Sequence, residues 1–147
     1  MGELEKEFVP YEQALTLKEL GFDEPCFGYY LCKNSAFGIQ DLLITTEHID
    51  LLPYDSSSCK APTFSQCFRW FREKYNLRAT IMDFIDDEIG VNWDYEIAKI
   101  GTDLDKYGHY EALVDFSIDD KYRKFKTYEG AELACLKKLI KICRELK

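Results

Sequence analysis

Asp94 and Glu96, one residue apart in "VNWDYEIAKI", are the first side chains in this sequence whose types and spacing suggest chemistry. In an extended strand, residues two apart point to the same face, so the two carboxylates would stand side by side. Glu111 and Asp115 would join them if their segment lies alongside. Such a cluster can hold Mg²⁺ for phosphodiester hydrolysis. A nuclease of the restriction-enzyme type, however, needs an acid, one spacer and a lysine on one strand face. "EIAK" puts Lys99 three residues after Glu96, on the opposite face. Acids on a wet sheet face also serve solubility alone, so a metal-dependent nuclease is the weakest of the readings kept and no metal ligand is assigned. The acids of "DDE" at 86–88 fall between two strand-like runs, where turns collect Asp for its side-chain-to-backbone bonds.

Nucleophilic catalysis needs a thiol or hydroxyl beside a base. His48 and His109 are the two histidines, and nothing in the spacing couples either to Cys59. Cys59 sits in "PYDSSSCKAP", a loop by composition, and is the one cysteine expected to be accessible. The six cysteines form no C-x-x-C pair. Cys135 and Cys143 would be about 12 Å apart along a helix axis, too far to share one ion. Cys26 and Cys32 would lie roughly 20 Å apart on an extended run. Reduced thiols acting as small hydrophobes account for the set. The glycines are isolated, and none opens a helix in a phosphate-loop or dinucleotide pattern. No catalytic residue, metal or cofactor is therefore expected.

The stretch "APTFSQCFRWFREKYNL", 61–77, interleaves rings and cations. Thr63 followed by Gln66 is a capping-box pattern that starts a helix. Phe64, Cys67, Phe68, Phe71 and Tyr75 then follow the spacing of one helical face. Arg69, Arg72 and Lys74 project away from it. Stacking of nucleic-acid bases would need rings and cations on one exposed surface, so the rings are expected in a core. Trp70 and Arg69 alone fall on a flank where both would be reached, and they are candidate partner-binding residues, since exposed Trp and Arg contribute disproportionately at interfaces.

The elements around that helix are read from periodicity. A first helix is expected over Pro10–Leu20, with Gly21 as its left-handed cap and Phe22 folding back on Leu17. "EPCFGYYLCK" and "DLLITTEHIDLL" read as strands, and Asn34–Gly38 as a turn region. "RATIMDFI" and "VNWDYEIAKI" read as a hairpin joined by "DDEIG". "GHYEALVDFSI" alternates, with Tyr110, Ala112, Val114, Phe116 and Ile118 on one side. The last helix starts near Thr127, with Leu133, Leu136, Leu139, Ile140, Cys143 and Leu146 inside. The order α-β-β-α-β-β-β-α specifies an α+β domain, with helices packed on a mainly antiparallel sheet that has one buried and one wet face.

A chain of 147 residues, 46% hydrophobic and 15% aromatic, fits a single domain spanning 1–147, its first few residues disordered. The start "MGELEKEFVP" has no apolar signal run, and no apolar stretch reaches the roughly 20 residues of a membrane span. A soluble, cytoplasmic protein without a membrane partner is expected. The net charge of −8 is uneven: residues 1–120 hold 10 Lys/Arg against 24 Asp/Glu, and residues 121–147 hold 9 against 3. An acidic body binds phosphate backbones poorly. The basic third, with Lys121, Arg123, Lys124 and Lys126, is a second candidate contact strip, for an acidic partner or, less favoured, for nucleic acid.

Three segments, "FVPYEQALTLKELGFDEPCFGYY" at 8–30, "AP-F-Q-FRWFREKY" within 61–75 and "YEGAELACLKKLIKI" at 128–142, resemble small proteins encoded by phages, prophages and conjugative elements of gut Bacteroidetes-type bacteria. The likeness covers about a third of the chain. It implies a mobile-element setting and an intracellular site of action, and brings no site residue, because its motifs are helices and a cap. Gly130 stands where the shared "YEEAELA" pattern has Glu. The expectation from all of this is an accessory protein that acts by binding another protein.

Overall fold

The computed structural model describes residues 2–31, 41–45, 58–88, 90–100, 112–114 and 125–146. Among the described residues, three α-helices and two antiparallel three-stranded sheets make an α+β fold. Backbone contacts divide the chain into two compact units, Met1–Cys67 and Phe68–Lys147. The fold class matches the expectation, with two differences. The strands are shared between two sheets, and Ser58–Ala61, read as loop, is a strand.

In the first unit a short 3-10 helix, Leu4–Glu7, precedes α1, Tyr11–Glu19. Pro10 is the N-cap of α1, a position where its missing N–H costs nothing. At the other end Gly21 has φ 97°, its N–H donates to the Lys18 carbonyl (3.0 Å), and the Phe22 N–H donates to the Leu17 carbonyl (2.9 Å). This is the Schellman closure expected from "LGF", with Leu17 and Phe22 both buried. The sheet has β1, Gly28–Leu31, between β2, Asp41–Ile44, and β3, Ser58–Ala61. Gly28 pairs with Ile44 on one side and Ala61 on the other. α1 packs against β3. The Tyr11 ring meets the Tyr30 ring edge-on, and the Tyr30 hydroxyl donates to the Val9 carbonyl (2.8 Å). Phe8 bridges to Thr63, and the Val9 N–H donates to the Pro62 carbonyl (2.9 Å).

The boundary between the units falls within α2, Phe64–Tyr75. Thr63 Oγ1 accepts from the Gln66 N–H (3.2 Å), the cap expected from the sequence. The Gln66 side-chain amide donates to the Pro25 carbonyl (2.7 Å). After Tyr75, Asn76 takes a left-handed φ of 55° and turns the chain directly into β4, Leu77–Asp86. β4 pairs along its whole length with β5, Gly90–Lys99, and β5 pairs with β6, Ala112–Val114, with a register shift at Ile97/Ala98. The hairpin closes through an Asp86 carboxylate that accepts from the Glu88 N–H (2.9 Å) and a Gly90 with φ 87°. Beyond β6, Phe125 exchanges two backbone bonds with Trp93.

The last helix, α3, Tyr128–Glu145, packs on β4 and β5, with the Tyr128 ring edge-on to Trp93. Thr127 caps it by accepting from the Gly130 N–H (3.0 Å). Its buried face is Ala131, Cys135, Leu136, Leu139, Ile140 and Cys143. Leu133 is only half-buried, and Leu146 is 68% exposed beyond the last turn, so the inner stripe is rotated towards Ala131 and Cys135 from the one expected. The alternation over 108–118 lies, apart from the backbone of β6, outside the described residues.

Candidate functional site

The acidic candidates lie on the two-stranded core of the second sheet. The register sets Asp94 opposite Met82 and Glu96 opposite Thr80, so the two acids do share a face. That face is not wet. Asn92 and Asp94 are 0% and 1% exposed, and Ala98 is buried with them. On the other face Tyr95 and Ile97 are buried as well. β5 is the middle strand of three and is covered on both sides over this stretch. Alternation specified which residues travel together, but not which set faces water.

Burial decides what these groups can do. Asp94 Oδ1 accepts from the Tyr95 N–H (2.8 Å), a bond to its own strand. Asn92 Nδ2 donates to the Gly90 carbonyl (3.2 Å), while its buried Oδ1 has no hydrogen-bond partner among the described residues. Glu96, half-buried, lies 3.5 Å from Arg78 Nη2, at the outer limit of a hydrogen bond. Among the described residues no group of three or more His, Cys, Asp or Glu side chains is gathered as a metal site would require. Glu111 and Asp115, the other half of the expected cluster, lie outside the described residues. Lys99 is exposed and has the opposite parity to Glu96 on β5. The geometry gives Asp94 a role in fixing its own backbone.

The thiols are placed differently from the expectation. Cys59 is not accessible: it lies on β3, 1% exposed, opposite Tyr30, and its thiol donates to the Lys60 carbonyl (3.7 Å). Four residues, "SCKA", are too short for alternation to mark a strand inside a polar run. Cys26 is also buried, with its Sγ 3.4 Å from the Gly28 carbonyl, and burial pushes its pKa up to about 11. The charge of buried Lys60 opposes that shift, while its Nζ bonds the Asp23 carboxylate (2.9 Å) and carbonyl (3.1 Å). A thiol held protonated this far above neutrality is a poor nucleophile.

Along α2, Phe64, Cys67 and Phe71 are buried, Phe68 and Tyr75 half-buried, and Arg69, Arg72 and Lys74 exposed. Rings inward and cations outward is the arrangement expected. Trp70 departs from it. It is 4% exposed, edge-on to both Phe71 (5.1 Å) and Tyr75 (5.4 Å), with the Lys74 ammonium 5.1 Å over its ring. Trp70 and Arg69 therefore do not form a joint exposed flank: only Arg69 reaches water. The apolar stripe is wider than the i, i+3, i+4 pattern by one position. Of the basic strip, Lys126 is exposed, and Lys121, Arg123 and Lys124 lie outside the described residues.

The surface that sequence reasoning missed is the closed end of the β4–β5 hairpin. Ile85 and Val91 are register partners on one face and are 77% and 57% exposed. Asp83, Asp87 and Glu88, on the same hairpin, are exposed as well. Residues 79–98 hold six acids and no Lys, Arg or His. That cation-free run is the signal the sequence carries, obscured because its acids divide between a turn and a strand face. Among the described residues no helix is long and apolar enough to cross a membrane. Compared with known proteins, the chain matches no family model, no curated protein and no solved structure.

Proposed function

We propose that this chain is a non-enzymatic accessory protein of a phage or related mobile element, acting in the cytoplasm by binding another protein through the end of its β4–β5 hairpin. The observation that carries the reading is the exposed Ile85–Val91 pair at a hairpin end that also exposes Asp83, Asp87 and Glu88. Covering each of the two apolar side chains would contribute about 1.5–3 kcal/mol, and the acids on the same hairpin select a partner whose apolar patch has a basic rim. The resemblance of the 8–30, 61–75 and 128–142 segments to mobile-element proteins supplies the setting.

The test is affinity capture from host lysate with wild type and with Ile85→Asp/Val91→Asp, both checked for fold by circular dichroism. A protein retained by wild type and lost by the variant, with retention weakened by salt, is the expected result. Equal recovery by the two baits, or none by either, refutes the reading. Trp70→Ala is a stability variant rather than a surface variant, because its ring is buried.

A further inference from the structure

We draw no further inference here: the strongest candidate, the exposed stripe of Lys137, Lys141 and Arg144 along the outer face of α3, carries nothing because nothing in the structure shows what covers it.

Discussion

The Phe8 ring rests on the Cα of Gly28: a β-carbon there would lie 2.6 Å from both Cδ1 and Cε1 of the ring and 2.8 Å from the Ala61 carbonyl oxygen. Gly28 opens the central strand of its sheet, and Phe8 is tied by backbone to Thr63 at the start of α2. The contact thus joins the chain's first segment to the sheet at the point where β1 and β3 are bonded. Gly28→Ala should overpack this point and cost about 1–3 kcal/mol, read as a lower urea midpoint at unchanged slope. A midpoint equal to wild type would mean that the Phe8 ring moves aside freely.

Asn76 holds a left-handed backbone where α2 passes into β4, and its carbonyl accepts from Ile100. A β-branched residue resists that conformation. Asn76→Val should lower stability by about 1–2 kcal/mol, whereas Asn76→Gly should be neutral within a few tenths of a kcal/mol. Thermal melts of the pair check this, and similar losses for both would point to the Asn side chain instead.

Cys26 gives the first unit a dependence on alkaline pH. Its pKa is raised from 9.0 to about 11 by burial in the folded chain. The folded state therefore holds the thiol proton more tightly than the unfolded state. Stability from this group is complete below pH 9 and falls as pH rises through about 11, by roughly 3 kcal/mol in all. Burial raises the Tyr30 hydroxyl in the same direction, so part of the slope will remain in Cys26→Ala. Urea unfolding at a series of alkaline pH values measures both slopes, and identical slopes in wild type and Cys26→Ala would contradict the assignment.

Asp94 should behave as a structural carboxylate. Asp94→Ala removes the acceptor of the Tyr95 N–H inside a covered strand and should cost about 1–3 kcal/mol. Mg²⁺ should leave the wild-type Tm unchanged. A rise in Tm with Mg²⁺ that disappears in Asp94→Ala would restore the metal reading.

The parts of the fold legible in the sequence are those decided within a few residues. Gly21 after Leu20 and Phe22 specifies the closure of α1, because the left-handed position and the bonds back to Leu17 and Lys18 are local. Thr63 and Thr127 mark the starts of α2 and α3 for the same reason: each accepts from an N–H three residues on. The β4–β5 hairpin was legible because its strands are long and its turn carries Asp86 and Gly90 where a tight reversal needs them. The inward set of α2 was legible from its spacing, apart from Trp70.

What the tertiary structure alone decided is which surfaces are covered. A strand's period of two assigns Asp94 and Glu96 to one face and Tyr95 and Ile97 to the other, yet whether a face meets water depends on what lies over it, and that comes from elsewhere in the chain. Here Asp94 is covered and the apolar Ile85 and Val91 are open, the reverse of what residue type suggests. Cys59 passed for an accessible loop thiol because the pairing that makes Ser58–Ala61 a strand is contributed by Gly28–Leu31, thirty residues earlier. Backbone conformation is set by neighbours along the chain, and exposure by neighbours across space.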